Sequence, residues 1–252
     1  MADSLRLPAN APYRLLVGVG GIGTGLFFAL EGDHTLGRNE SRPARLLDLR
    51  DYCKLHIIAH YVAILLGARP GGQPFYVLPI GRVGRDQAGE RLTAEMAAAG
   101  MDLRFIRVDD ARPTTLGICF QYPDGSGGNI TAVDAAASAL TFEEIDRAEP
   151  LLAANPGLAM ALAAPEVPLV TRQHLLAMAT RHGALRATSL ASAEVEEALQ
   201  LGLLRSVDLL AVNEDEAAAL LGEPLDPANL APYLERVHAR LTALQPGMRI
   251  VL

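Results

Sequence analysis

The second half of the chain is written in a single rhythm, and that rhythm limits the possible folds more than any other feature. Apolar runs at 158–164, 185–190, 207–212 and 248–252 alternate with segments of helical period at 171–181, 193–204, 214–221 and 229–244. Short apolar runs bounded by turn residues are the signature of buried strands. A repeated strand–helix unit closes as parallel strands joined by crossovers, with helices on both faces of the sheet. Gly183 and Gly222 stand where helices should stop, and Thr141 followed by Glu144 forms a capping box that opens another.

The first half keeps the rhythm but interrupts it twice. A strand is expected at 13–18 and a helix over 51–66, where Leu55, Ile58, Ala59, Val62 and Leu65 recur at three- and four-residue spacing before Gly67 and Pro70. A strand at 75–80 and a helix at 87–99, closed by Gly100, follow. The segments near 27–49 and 103–133 are β-rich, contain turn clusters such as Pro123-Asp124-Gly125, and lack a helical period. They do not fit a parallel sheet and are expected to pair as a small separate sheet or lid. The whole reads as one α/β domain over residues 1–252.

Composition excludes several classes. With half of its 252 residues hydrophobic, the chain can bury a substantial core and is not a disordered polymer. Its net charge of −7 supplies no basic field for nucleic acid or an anionic membrane. Two cysteines, Cys53 and Cys119, make no disulfide framework. No uncharged stretch reaches the roughly 20 residues of a spanning helix, and the amino terminus lacks a leader pattern, so a cytoplasmic location is expected. Lys54 is the only lysine.

Three local patterns could carry chemistry. Gly18-Val19-Gly20-Gly21-Ile22-Gly23 fits a dinucleotide fingerprint, for which Asp48 would be the acidic partner; the alternative is a glycine turn that permits close packing or another ligand. Asn213-Glu214-Asp215-Glu216 follows a buried strand and opens a helix, at the carboxyl edge where α/β folds bind ligands. Asn213 and Glu216 share one face of the first turn and could hold a hydrated Mg²⁺, or could simply cap the helix. His56 and His60 lie one helical turn apart, without a third ligand in view.

Several segments taken together resemble the ribokinase-like (PfkB) carbohydrate kinases. Gly81-Arg82-Val83-Gly84-Arg85-Asp86-Gln87-Ala88-Gly89, continuing to Leu92 and Gly100-Met101-Asp102, is similar to the family's G-x-V-G-x-D-x-x-G stretch. Pro113-Thr114-Thr115 and Tyr122-Pro123-Asp124-Gly125 are similar to its lid strands, and Val207 to Ala217 with Leu220-Leu221-Gly222 to its D-[IL]-[LV]-x-x-N-x-x-E segment. The resemblance implies a three-layer α/β/α fold with a mostly parallel sheet and a small β lid. It also implies phosphoryl transfer from ATP, with Mg²⁺, to a hydroxyl of a sugar or nucleoside. By the same resemblance Asn213 and Glu216 would organise cofactor and metal, with Glu216 the metal ligand. Gly20, Gly21, Thr24, Gly37, Asn39 and Asn129 would line the substrate pocket, Lys54 would stand in for a substrate contact that the family has and this chain lacks, and a homodimer could form through the lid.

The chain departs from the family in three places. The substrate-side Gly-Gly-x-Gly-x-Asn is replaced by Cys53-Lys54-Leu55-His56-Ile57-Ile58, and Thr24 stands where an Asp is common. The Gly-Ala-Gly-Asp motif has no counterpart before Leu252. The catalytic Asp is therefore expected beyond residue 252, and the chain is expected to be incomplete at its carboxyl end and inactive alone. Two other readings stay open: a non-catalytic binder of sugar or nucleoside on the same fold, and a Rossmann NAD-dependent enzyme. The residues do not name the acceptor, nor the roles of His56 and His60.

Overall fold

The apolar runs assemble side by side, as their lack of a polar face requires. The computed structural model describes residues 12–71 and 74–251; the amino-terminal residues read for a leader, and Leu252, lie outside them. In chain order the elements are β1 (Leu15–Val19), β2 (Gly23–Leu30), β3 (Ala44–Tyr52), α1 (Lys54–Leu66), β4 (Tyr76–Gly84), α2 (Gln87–Ala98), β5 (Ile106–Asp109), β6 (Thr115–Gln121), β7 (Gly127–Thr131), α3 (Phe142–Asp146), α4 (Glu149–Ala153), β8 (Ala159–Ala163), α5 (Leu169–Arg181), β9 (Leu185–Ser189), α6 (Val195–Gln200), β10 (Leu209–Ala211), α7 (Glu214–Leu221), α8 (Leu230–Leu244) and β11 (Arg249–Val251).

Seven strands form a parallel sheet in the order β11-β10-β9-β8-β1-β4-β5. Along β1, Leu15, Val17 and Val19 face one core and Leu16 the other, so both faces are buried, as parallel sheets require. The first core packs α3 to α8 against the sheet through Ile145, Leu152, Leu175, Leu220 and Tyr233. The second packs α1 and α2 through Leu55, Ala59, Leu92 and Met96. The architecture is thus three layers, α/β/α.

A second, four-stranded sheet in the order β3-β2-β6-β7 stands apart from the first. Its central pair β2–β6 is parallel and its two outer pairs are antiparallel. One face and both edges remain largely open to solvent, and the side chains of Leu46, Leu47, Leu49 and Ile130 are exposed. The two sheets are joined through Asp86, the cap of α2. Its carboxylate accepts from Gly89 N–H at 2.8 Å, from Thr114 N–H at 2.7 Å and from Thr114 Oγ1 at 2.7 Å. Burial alone would raise the pKa of Asp86, yet these hydrogen bonds hold it below the ordinary value. The Gly81–Gly89 motif therefore has a structural purpose: it ties the start of β6 to the main sheet.

Three expectations need correction. Residues 106–109, grouped with the lid patch at 103–133, instead form β5 at the edge of the large sheet. β4 runs on past Ile80, and its exposed backbone groups there need partners, which β5 supplies. Helix α1 starts at Lys54, because Asp51 and Tyr52 are still strand residues paired with Gly25 and Thr24. The helix expected over 193–204 is broken: α6 ends at Gln200, and Gly202 takes a left-handed φ of +69° that no helix continues through.

Candidate active site

The carboxyl ends of β1, β8, β9 and β10 open toward the start of α1, and the chemistry-bearing side chains collect there. The turn after β1 is glycine because it is pressed between other elements. A Cβ at Gly20 would lie 2.7 Å from Ala164 Cβ and 2.8 Å from Leu55 Cβ. One at Gly21 would lie 2.5 Å from Glu166 Cβ. Gly23 then begins β2 of the small sheet rather than a helix, so the turn does not lead into the helix that a dinucleotide fingerprint requires. Asp48 lies in β3, opposite Phe27 in the small sheet. The Rossmann NAD reading is therefore overturned: the glycines serve close packing, and the acidic partner is in the wrong sheet.

Asn213 and Glu216 form a reciprocal cap at the end of β10. Asn213 Oδ1 accepts from Glu216 N–H at 2.9 Å, and Glu216 Oε2 accepts from Asn213 N–H at 2.9 Å. The cap uses one carboxylate oxygen and leaves the other. Glu216 Oε1 is taken by the ammonium of Lys54 at 3.1 Å, and the same ammonium donates to the Leu190 carbonyl at 2.9 Å. Lys54 thus spans from the first residue of α1 to the first turn of α7.

Glu166 completes the group, and sequence reading missed it. It follows β8 with a left-handed φ of +67°, a conformation that is uncommon for a residue with a side chain and clusters at functional sites. Its Oε2 accepts the Lys54 backbone N–H at 3.1 Å, at the positive end of α1. Burial pushes its pKa up to about 7, against the lowering effect of Lys54. The available signal was similar to that at Asn213: a polar residue closely following a buried apolar run.

Beneath Glu166 lies Arg172, which is fully buried. Its guanidinium donates to Glu194 Oε2 at 2.8 Å, to Thr188 Oγ1 at 3.2 Å and to the Ser189 carbonyl. Arg172 therefore clamps the ends of β8 and β9 together under the site. No periodicity argument singles it out, because it occupies an otherwise apolar helix face.

The other expected residues lie elsewhere. Thr24 is in β2, where its Oγ1 accepts from Arg91 Nη2 at 2.6 Å. Gly37 and Asn39 sit in the exposed loop between β2 and β3, where Gly37 N–H donates to Glu40 at 2.7 Å and Asn39 has a φ of +62°. Asn129 is exposed on β7 and accepts from Thr131 Oγ1 at 2.9 Å. So Gly20, Gly21, Lys54, Asn213 and Glu216 belong to the carboxyl edge, and Thr24, Gly37, Asn39 and Asn129 to the small sheet and its loops. His56 is buried against Tyr52, with ring centroids 4.6 Å apart, and burial lowers its pKa to about 4.

The donor set suits a hard, hydrated cation. Among the described residues no group of three or more His, Cys, Asp or Glu side chains is placed to hold a metal by itself. A cation at Glu216 would be held by one carboxylate oxygen, water and ligand phosphates, which is the manner of Mg²⁺. Beside the cap a cavity of about 530 Å³ is lined by Asn213, Glu214, Asp215, Leu225, Leu230 and Leu234. A smaller cavity of about 370 Å³, lined by Tyr13, Arg186 and Asp208, lies away from all of these groups. No helix among the described residues is long and apolar enough to cross a membrane.

Comparison with known proteins agrees with this fold. The model of the pfkB family of carbohydrate kinases matches residues 64–245. Ribokinase from Giardia lamblia superposes with a TM-score of 0.68 at 13% identity, covering 93% of this chain and 68% of that one. Arabidopsis thaliana ribokinase, solved with ribose and ATP, gives 0.59 at 17% identity, with 90% and 69% covered. Ribokinase from Cryptococcus neoformans var. grubii, solved with ADP, gives 0.58 at 20% identity, with 92% and 66% covered. No curated protein matches significantly in sequence. The structures share the fold, and the family match covers most of the length: the chain belongs to the pfkB family of carbohydrate kinases.

Proposed function

We propose that the chain serves ATP-dependent phosphoryl transfer to a hydroxyl of a sugar or nucleoside. The observation that carries this reading is the Asn213–Glu216 cap at the carboxyl end of β10, facing the start of α1 across Lys54. Phosphoryl transfer needs positioning and charge neutralisation more than covalent chemistry, and both demands fit an edge where a carboxylate, an ammonium and a helix start converge. Asn213 and Glu216 lie on the nucleotide side, and Glu216 is the residue that would hold Mg²⁺. When bound, Mg²⁺ supplies charge neutralisation between phosphate oxygens.

On the acceptor side Gly20 and Gly21, packed too closely to carry side chains, present backbone to a ligand, and the Glu166 carboxylate accepts a hydrogen bond from an acceptor hydroxyl. Lys54 joins the two sides. Thr24, Gly37, Asn39 and Asn129 meet the acceptor from the small sheet, which acts as the lid. A cytoplasmic location and a dimer formed through the open lid edge belong to the same reading. A second reading, a non-catalytic sugar or nucleoside binder, draws on the loss of the glycines and Asn at 53–58.

Titration calorimetry with ATP–Mg²⁺ on this chain tests the proposal. Saturable binding weakened at least about tenfold by Glu216→Gln is expected. Absence of nucleotide binding would overturn it. ADP release against a sugar and nucleoside panel then separates kinase from binder.

A further inference from the structure

The only lysine of the chain is found at the one carboxylate oxygen that a cation would need. Lys54 Nζ lies 3.1 Å from Glu216 Oε1, while Glu216 Oε2 is committed to the Asn213 N–H. The Glu216 side chain is 5% exposed, so it cannot turn an unused oxygen to solvent without leaving the cap. The lysine is more open, at 39%, and its ammonium has a third N–H beyond those used by Glu216 and the Leu190 carbonyl. Its stem is anchored at the first residue of α1, whose backbone N–H is held by Glu166. The ammonium is therefore delivered to Glu216 at high local concentration by the fold itself.

We propose that Lys54 is a tethered counter-cation that competes with a divalent cation for Glu216, so that metal binding and release of the lysine are one exchange. The inference rests on the reading of Glu216 as the cation-organising carboxylate. A divalent ion at Oε1 and an ammonium at the same oxygen repel each other, and only one can keep the short contact. The exchange is reciprocal: the lysine lowers divalent affinity, and the divalent ion weakens the hold on the lysine. Once released, the ammonium remains attached at the acceptor-side end of α1, with its N–H groups free for an anionic oxygen. Lys54 is in this sense a positioning residue that links occupancy on the nucleotide side to charge on the acceptor side.

Mn²⁺ is the probe, followed by electron paramagnetic resonance on the 252-residue protein without nucleotide. Lys54→Met should bind Mn²⁺ about tenfold more tightly than the parent chain, and Lys54→Gln should behave alike. Adding Glu216→Gln to Lys54→Met should remove the gain, which fixes the locus. In parallel, protein labelled with [13C]lysine gives one lysine side-chain signal, which should shift on titration with Mg²⁺ in the parent and stay still in Glu216→Gln. Equal Mn²⁺ affinity in parent and Lys54 variants overturns the exchange, as does absence of Mn²⁺ binding in all of them. If ATP nevertheless binds, the kinase reading survives that failure. If the exchange holds and ATP does not bind, the kinase reading falls alone. Circular dichroism melts of each variant establish that the comparison is between folded proteins.

Discussion

The carboxyl edge of the parallel sheet and the outer face of the small sheet are both built from strands, yet different forces hold them. At the first, Arg172 is wholly buried with its guanidinium bonded to Glu194, Thr188 and Ser189, and Glu216 sits under the ammonium of Lys54. At the second, Leu49 and Ile130 are 57% and 62% exposed, and among the described residues no strand lies beside the hydrogen-bonding edges of β3 and β7. Buried charge tolerates no missing partner, whereas an exposed leucine loses little when it is changed. The contrast teaches where buried charge ties the fold and where it does not: the carboxyl edge is cross-linked by paired buried groups, and the small sheet is joined to the rest by Asp86, by the Arg91–Thr24 hydrogen bond and by its own ladder.

The largest effect should come from the buried clamp. Arg172→Met leaves Glu194 without its cation and buried acceptors without donors, and should cost about 3–5 kcal/mol in urea unfolding. A loss below about 1 kcal/mol would remove the distinction between the two regions.

Glu166 should give the next effect, and its sign is unusual. Its pKa in the folded chain is about 7, above the ordinary 4.5, so the native state holds a proton that the unfolded state has released. The associated stability is present at pH below about 4.5 and is lost as pH rises through about 7. Melting curves from pH 5 to 8 should therefore fall more steeply for the parent than for Glu166→Gln, by on the order of 2 kcal/mol across the range. His56 acts oppositely. Its pKa is lowered to about 4 by burial, so its contribution is lost as pH falls from the ordinary 6.5 toward 4, and His56→Phe should flatten the acid limb.

Glu216→Gln should cost less stability, about 1 kcal/mol, because the capping geometry can persist with an amide. Its weight should appear in ligand binding instead. The smallest change belongs to the small sheet: Leu47→Ser and Leu49→Ser should alter stability by less than about 0.5 kcal/mol. If they also change sedimentation, the edge of the small sheet is a contact between copies.

What the sequence discloses follows from the same physics. The inner strands of the parallel sheet were legible because they are largely apolar and each crossover is long, so that 158–164 and 207–212 stood out and α7 was bounded correctly at Glu214–Leu221. The Asn213–Glu216 cap was legible because capping is local. β5 was not, since Arg107 and Val108 are exposed and only long-range pairing with β4 assigns it to a sheet. The link from Lys54 to Glu216 spans 162 positions and depends on where two helices start in space, which no periodicity encodes. Glu166 was hidden for a related reason: its significance lies in a left-handed backbone and in neighbours from three different elements.

A crystal structure of the protein with a non-hydrolysable ATP analogue and Mg²⁺ tests the central claim most directly. The account places the terminal phosphate at the carboxyl edge, within reach of Glu216 and of the ammonium of Lys54. A nucleotide seated instead in the cavity beside Arg186 and Asp208, or bound with Glu216 still paired to Lys54 and out of reach of its phosphates, would contradict it.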